Sequence, residues 1–270
     1  MKIKIGICQF DIQEGKHDRN LAKAEELLTA AAKEGGEILM LPEMWPSGFD
    51  FANINSIAEA LDGETVSFLK EQAIKLNVHL IGGSFAEADG GKVYNTCPVI
   101  DSHGKITAIY RKVHLFSHYL NEHLYLSPGN EWVLSRYRKD EDTIILGHMI
   151  CYDLRFPEFA RNLALRGARL LCAPAGWPQR RVRELEILCQ ARAIENRSFL
   201  ICANYTDTAN GEYCGNSLII DPFGNILAKL GNNEDFAIAE IDTSLLDQEN
   251  TFNSLADRRP VMDEIAKGMF

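Results

Sequence analysis

Three side chains with reactive chemistry each stand just beyond a predicted strand: Glu43, Lys112 and Cys151. A cysteine thiolate is a strong nucleophile, and a carboxylate within hydrogen-bond reach can remove the proton from the thiol. Burial would raise the pKa of that carboxyl group and make it a better base. A lysine ammonium can stabilise the thiolate and then the oxyanion of a tetrahedral intermediate. Because ligands gather beyond the carboxyl ends of strands in open α/β sheets, the three residues are candidates for one catalytic constellation.

Each of these residue types also has a common structural role. A cysteine at a strand end is usually a small core residue, a glutamate after a proline often opens a helix, and a lysine after a strand is usually a solvated charge. Chemistry alone therefore leaves the trio a hypothesis. Pro157 predicts a helix that starts shortly after Cys151. Backbone N–H groups from Tyr152 onward are then candidate donors to an oxyanion.

The elements that must position these residues follow one plan twice. In the first half, the hydrophobic pattern predicts strands at 4–9, 37–41 and 78–82, helices at 20–33 and 65–76, and a hairpin at 93–111. The second half repeats this order, with strands at 144–150 and 199–203, a helix at 184–195, and segments 166–174 and 219–226 that match 34–42 and 99–106. Chance similarity between α/β segments is the alternative. Two such halves are expected to pack sheet against sheet with helices outside, which predicts a four-layer α-β-β-α sandwich with an internal pseudo-two-fold repeat.

Composition excludes several classes of protein. The 270 residues include 28 Lys and Arg against 38 Asp and Glu, a net charge of −10, which disfavours nucleic acid and anionic membranes as partners. No apolar run approaches the ~20 residues of a membrane span, and the N-terminus does not resemble a signal peptide. The seven cysteines form no CxxC pair and are expected to be reduced, which indicates a cytoplasmic protein. We expect a single domain, 1–245, and a C-terminal tail, 246–270, that could pack on a partner subunit.

The local sequences around the three residues resemble the motifs of the nitrilase superfamily of carbon–nitrogen hydrolases. These are the segments LPEMW at 41–45, YRKVHLF at 110–116 and ICYDLRFPE at 150–158. Their order agrees with that family, as do the spacings of 69 residues from Glu43 to Lys112 and 39 residues from Lys112 to Cys151. With further likeness at 191–196 and 215–217, the resemblance covers about residues 3–245.

The resemblance implies the α-β-β-α fold, a Glu43–Lys112–Cys151 catalytic triad, and a homodimer or larger homo-oligomer. It also implies that Cys151 attacks an amide carbonyl and releases ammonia or an amine, after which water activated by Glu43 hydrolyses the thioester. No metal or organic cofactor is implied. Members of the family often carry a second glutamate after the Lys motif, and Glu122, in the irregular segment 117–126, is its best match.

Three histidines lie close together in the same region, and three histidines can bind zinc: His114, His118 and His123. The resemblance accounts for His114 as part of the Lys motif, and no helical spacing pairs the other two. We therefore expect no metal site.

The segment 151–158 and the later Gly176-Trp177-Pro178 are most similar to the ω-amidase branch of the superfamily. That branch hydrolyses 2-oxoglutaramate or 2-oxosuccinamate to the 2-oxo dicarboxylate and ammonia. Arg155 suits such a substrate, since a guanidinium can hold a carboxylate bidentately. Tyr152 and Trp177 are predicted to contact the substrate as well. The structural alternatives are that Arg155 pairs with Asp153 or Glu158 and that Trp177 is a core residue.

Three other functions are compatible with the same motifs. An N-carbamoyl amino acid amidohydrolase is the main alternative enzyme. An acyltransferase would use the same thioester but would form product only when an amine acceptor is present. A non-catalytic binding scaffold with this fold is the alternative of another class, although a scaffold has no need of all three reactive residues.

Overall fold

The computed structural model describes residues 1–207, 211–246, 255, 257 and 258. The strands of the described residues are β1 (Lys2–Gln9), β2 (Ile38–Met40), β3 (His79–Ile81), β4 (Phe85–Asp89), β5 (Lys92–Ile100), β6 (Ile106–Arg111), β7 (Leu134–Lys139), β8 (Asp142–His148), β9 (Leu170–Ala175), β10 (Phe199–Asn204), β11 (Leu218–Ile220), β12 (Ile226–Lys229) and β13 (Asp235–Asp242). The α-helices are α1 (His17–Lys33), α2 (Ile54–Ile57), α3 (Glu64–Leu76), α4 (Pro157–Leu165) and α5 (Val182–Asn196). None of these helices is long and apolar enough to cross a membrane.

The strands form two sheets that share one plan. The first has the order β13-β1-β2-β3-β5-β4, with β6 also paired to β5, and the second has the order β12-β11-β10-β9-β8-β7. Three parallel strands form the centre of each sheet, β1-β2-β3 in one and β8-β9-β10 in the other. An antiparallel strand flanks each trio on either side. The predicted internal repeat is therefore present in the topology.

The two sheets pack face to face with helices on their outer surfaces. In β2, Ile38 and Met40 join a buried cluster that reaches Leu200 of the second sheet and continues to Leu185 of α5. The residue between them, Leu39, belongs instead to a second cluster with side chains of α1 and α3. Successive residues of a strand point to opposite faces, so this alternation places one face of the sheet against the other sheet and one face against helices. The α-β-β-α prediction is confirmed.

The strand β13 is an element that the sequence pattern did not predict. It runs antiparallel to β1, from Lys2 opposite Asp242 to Gln9 opposite Asp235, and so places the end of the second half in the first sheet. This pairing joins the two ends of the described chain, which a local hydrophobic pattern cannot reveal. The expected tail, 246–270, lies outside the described residues except for 246, 255, 257 and 258.

Candidate active site

The elements of the repeat bring four chain positions to one end of the two sheets. Glu43 follows β2, Lys112 follows β6, Cys151 follows β8, and Gly176 follows β9. Glu43 and Lys112 are fully buried, and Cys151 is half-buried at the wall of a cavity. The fold therefore collects the predicted base, cation and thiol in one place.

The Glu43 carboxylate accepts three hydrogen bonds, two at one oxygen and one at the other. Its Oε1 accepts hydrogen bonds from Asn95 Nδ2 at 2.9 Å and from Lys112 Nζ at 2.8 Å. Its Oε2 accepts only the backbone N–H of Gly176, at 2.9 Å, among the described groups. A carboxylate oxygen has two lone-pair sites, so Oε1 is saturated and Oε2 keeps one site for a proton. Oε2 is thus the oxygen that can act as a base.

Gly176 is required at its position because its backbone approaches the site closely. A Cβ atom there would lie 2.6 Å from the ring of Tyr205 and 2.7 Å from the ring of Phe49, well inside contact distance. Glycine lets the chain pass between these rings and aim its N–H at Glu43.

Lys112 bridges two buried carboxylates. Its Nζ donates at 2.8 Å to Glu122 Oε1 as well as to Glu43, and the other oxygen of Glu122 accepts the backbone N–H of Phe116 at 2.9 Å. Burial alone would lower the pKa of Lys112, but the charges of Glu122 and Glu43 outweigh it and raise that pKa, so the ammonium is retained. Burial raises the pKa of Glu122; Lys112 opposes this rise and Glu43 adds to it.

Cys151 occupies a strained turn that a third carboxylate fixes. Its φ is +45°, in the left-handed region that non-glycine residues rarely adopt, and it begins a 3₁₀ turn that precedes α4. The buried Asp153 accepts the N–H of Ile150 at 2.8 Å, the hydroxyl of Tyr110 at 2.6 Å and the N–H of His114 at 3.0 Å. Asp153 therefore ties the turn of the nucleophile to the segment that carries Lys112.

The Cys151 thiol is neutral in the resting site. Burial raises its pKa well above the usual value, and the charge of Glu43 raises it further, against the opposing effects of the Lys112 ammonium and the Gly176 N–H. A neutral thiol needs a base at the moment of attack, and Glu43 lines the same cavity as Cys151. The arrangement supports nucleophilic attack by sulfur with Glu43 as base and Lys112 as the cation that faces developing negative charge.

The site opens into a small cavity with a volume of about 30 Å³. Apolar side chains of Phe49, Phe116 and Leu120 line one part of it, and Arg155 and Trp177 line another. The guanidinium of Arg155 stacks over the Trp177 ring, 4.7 Å from its centroid. The ion pair of Arg155 is with neither Asp153 nor Glu158, because its Nη2 reaches Glu184 of α5 at 2.5 Å.

Tyr152 packs against aromatic side chains next to the cavity. It is not among the described residues that line the cavity; its ring packs edge-to-face on Phe116 at 5.0 Å and on Phe156 at 5.3 Å. The tight turn after Cys151 directs the next side chain into this aromatic cluster. The Tyr152 ring therefore packs behind a residue of the cavity wall, and its contact with substrate stays a prediction.

The histidines considered as metal ligands are not brought together. His114 Nδ1 lies 2.7 Å from Asp153 Oδ1 and its ring stacks on Phe156. Metal ions in proteins are commonly bound by histidine, cysteine, aspartate or glutamate. Among the described residues, only one set of three such side chains is close enough to share an ion: His17, Asp18 and Glu64. Two of these three are exposed.

Three residues near the site were not singled out from sequence: Asn95, Asp153 and Arg181. Asn95 lies within a strand pattern, where nothing marks it as the partner of a glutamate 52 positions earlier. Asp153 stands inside the Cys motif, so its position there was the available signal. Arg181 lines the cavity and belongs to a basic segment whose partners only the fold reveals.

Known proteins resemble this chain over its whole length. The family model described as carbon-nitrogen hydrolase matches residues 4–249. A 2-oxoglutaramate amidase of Bacillus subtilis (strain 168) is 40% identical over 100% of both chains, and a chloroplastic omega-amidase of Arabidopsis thaliana is 34% identical over 93% of this chain and 70% of its own. The crystal structure of Saccharomyces cerevisiae Nit3, described as a member of the nitrilase superfamily, superposes with a TM-score of 0.83 at 28% identity, over 91% of this chain and 92% of that one. With the motifs and the fold, these matches show that the chain belongs to the carbon-nitrogen hydrolase family and is a hydrolase of non-peptide carbon–nitrogen bonds in amides.

Proposed function

We propose that this protein is a thiol amidase that hydrolyses the terminal amide of a short 2-oxo dicarboxylate monoamide, 2-oxoglutaramate or 2-oxosuccinamate. The observation that carries the proposal is the buried Glu43 carboxylate, which keeps one free lone-pair site beside the Cys151 thiol and shares Lys112 with Glu122. Relatives with omega-amidase and 2-oxoglutaramate amidase names support the substrate class.

In the proposed first half-reaction, Glu43 Oε2 takes the thiol proton as Cys151 sulfur attacks the amide carbonyl. The resulting oxyanion is stabilised by the Lys112 ammonium, with the Tyr152 N–H as an expected second donor. When the C–N bond breaks, Glu43 returns the proton to the leaving nitrogen and ammonia departs. The acyl group remains on Cys151 as a thioester.

In the second half-reaction, Glu43 removes a proton from water, and the hydroxide attacks the thioester carbonyl. Collapse of this intermediate breaks the C–S bond, and the proton held by Glu43 returns to the sulfur. The thiol is restored, and the product acid loses its remaining proton to solvent and leaves as a carboxylate. One carboxylate thus serves as base and acid twice, which needs Glu122 to hold Lys112 in place while Glu43 changes charge.

The direct test of the substrate is ammonia release by the wild-type protein from 2-oxoglutaramate. We expect rapid release without an added amine acceptor, since water accepts the acyl group. Release that depends on an added amine would indicate an acyltransferase. Preference for an N-carbamoyl amino acid would replace the proposed substrate by that of a carbamoylase.

The role of Arg155 in binding the substrate carboxylate predicts a selective defect. Arg155→Ala is expected to lower kcat/KM for 2-oxoglutaramate by roughly 10- to 100-fold, the value of a hydrogen bond to a charged group, and to change kcat/KM for pentanamide less than about twofold. Arg183→Ala provides the control, because Arg183 is an exposed arginine of α5 that is not among the residues lining the cavity. Equal losses on both amides would mean that Arg155 only supports the cavity wall.

We also propose that two copies associate through the helices of the second half. Ile187 and Ile194 lie two turns apart on one face of α5 and are about half exposed, and Leu165 of the neighbouring α4 is 40% exposed. Ile194→Glu is expected to give a monomer in sedimentation equilibrium. Ile74→Glu, an equally exposed isoleucine on α3, is expected to leave the oligomer unchanged. A monomeric wild type would contradict the proposal.

A reducing compartment, the cytoplasm, is the proposed location. All seven cysteines are free thiols in the structure, and the chemistry proposed for Cys151 requires its reduced form. Fractionation that places the protein outside the cytoplasm would refute this assignment.

A further inference from the structure

Two arginines at the cavity share a single carboxylate. Arg155 Nη2 donates to Glu184 Oε2 at 2.5 Å, and Arg181 Nη1 donates to Glu184 Oε1 at 2.9 Å and to Oε2 at 3.3 Å. Both arginines line the cavity, whereas Glu184, in the first turn of α5, does not. The Glu184 side chain is 42% exposed, so it can turn toward solvent.

This arrangement leaves a net positive charge on the two arginines that line the cavity. The hydrogen bond from Arg155, followed by the charges of both arginines, holds the pKa of Glu184 below its usual value, so Glu184 is ionised and neutralises one guanidinium of the two. The acidic groups deeper in the cavity, Glu43 and Glu122, are both bonded to Lys112. Arg155, Arg181 and Glu184 together carry one net positive charge, which a bound carboxylate would neutralise.

Trp177 contacts the Arg155 side chain and the Arg181 backbone independently of Glu184. Its ring carries the Arg155 guanidinium, and its Nε1–H donates to the backbone carbonyl of Arg181 at 2.8 Å. Trp177 itself is 2% exposed, and its backbone N–H donates to Asn204 Oδ1 at 2.6 Å. Removing the Glu184 charge would therefore leave the Arg155 guanidinium stacked on Trp177 and the Arg181 backbone in its present position.

We propose that Glu184 is a resident carboxylate that occupies the Arg155–Arg181 pair in the empty site, and that the carboxylate of the amide substrate displaces it. This inference rests on the proposed function and adds Arg181 and Glu184 to the residues that determine specificity. A substrate with a carboxylate replaces one charge-assisted contact with another. A neutral amide makes no such exchange, so its binding does not depend on the charge of Glu184.

The test compares Glu184→Gln with Glu186→Gln, a glutamate two positions along the same helix that pairs with Lys229 away from the cavity. Because partly exposed ion pairs contribute up to about 1 kcal/mol, Glu184→Gln is expected to lower the KM for 2-oxoglutaramate roughly fivefold. The KM for pentanamide is expected to change less than about twofold, and Glu186→Gln should match the wild type on both substrates. An unchanged or higher KM for 2-oxoglutaramate would overturn the proposal and make Glu184 a positioning residue for Arg155.

A binding measurement separates this proposal from the choice of substrate. Calorimetry with glutarate, a dicarboxylate that cannot be hydrolysed, is performed on Cys151→Ala with and without Glu184→Gln. Glutarate is expected to bind roughly fivefold more tightly when Glu184 is replaced. If the wild type does not hydrolyse 2-oxoglutaramate, the proposed function fails, while tighter glutarate binding would still support the displacement of Glu184. Equal glutarate affinities would refute it whatever the substrate is.

Discussion

Replacement of Cys151 by alanine is expected to abolish ammonia release while leaving the fold intact. Loss of a catalytic nucleophile commonly costs on the order of 10⁴- to 10⁶-fold in kcat, because the remaining groups cannot form the covalent intermediate. The turn at Cys151 is held by the hydrogen bonds to Asp153 and not by the thiol, and alanine takes a positive φ no less readily than cysteine. The free energy of unfolding should change by about 1 kcal/mol or less.

The measurement combines ammonia release from 2-oxoglutaramate with thermal unfolding of the same preparations. Cys189→Ala is the control, since Cys189 is a fully buried thiol of α5 that does not line the cavity. It should lose some stability, because a buried group is removed, and keep its activity. Activity of Cys151→Ala near that of the wild type would contradict the thioester mechanism.

The contrast between Cys151 and Cys189 also shows what sequence patterns can and cannot identify. Both cysteines follow apolar residues, and residue type alone favours a core position for either. The Cys motif distinguishes Cys151 because its neighbours, including the proline that opens α4, are contiguous in the chain. Glu43 and Lys112 were predictable for the same reason, since each stands within a short segment that ends a strand.

The groups that tune these residues come from distant parts of the chain. Asn95 reaches Glu43 across 52 positions, and the Gly176 N–H reaches it across 133. Glu184 reaches Arg155 across 29 positions, where local reasoning considered only Asp153 and Glu158. Tertiary packing decides such contacts, so the repeat could predict the layers but not the hydrogen bonds between them.

Backbone conformation explains the position of the Tyr152 ring. A residue beside the nucleophile is expected near the substrate when the chain is extended. The left-handed Cys151 and the 3₁₀ turn instead turn the Tyr152 ring onto Phe116 and Phe156. No residue type in the motif signals a positive φ at a cysteine, because that conformation is imposed by the surrounding contacts.

Among the substitutions proposed, replacement of Lys112 by methionine is expected to lower the free energy of unfolding most. Methionine has a similar length, but it leaves the Glu43 and Glu122 carboxylates buried without the cation that both contact at 2.8 Å. Removing one partner of a buried ionic group typically costs about 3–5 kcal/mol, because an uncompensated charge stays in the interior. Lys229→Met is the control, since Lys229 pairs with Glu186 where both side chains are about one-third exposed. That pair should contribute about 1 kcal/mol or less.

The loss in Lys112→Met should depend on pH with a defined sign. In the wild type, burial already raises the pKa of Glu122, and the Lys112 ammonium is the main group that opposes the rise. Without that ammonium the folded pKa rises further, while the unfolded pKa stays at about 4.3. Between the two values the folded chain binds more protons than the unfolded chain, so the free energy of unfolding falls as pH rises. Urea unfolding at pH 5.5 and pH 8 should therefore show a larger defect at pH 8.

A defect in Lys112→Met no larger than that in Lys229→Met, or one that is greatest at low pH, would contradict this account of the buried cluster. The same variant separates the structural role of Lys112 from its role in the reaction. At pH 5.5, where protonation of a buried carboxyl group relieves the missing charge, the variant should remain largely folded. Ammonia release should still be reduced on the order of 10²- to 10³-fold, since no ammonium faces the developing oxyanion. A folded Lys112→Met with normal turnover at that pH would mean that Lys112 only balances charge.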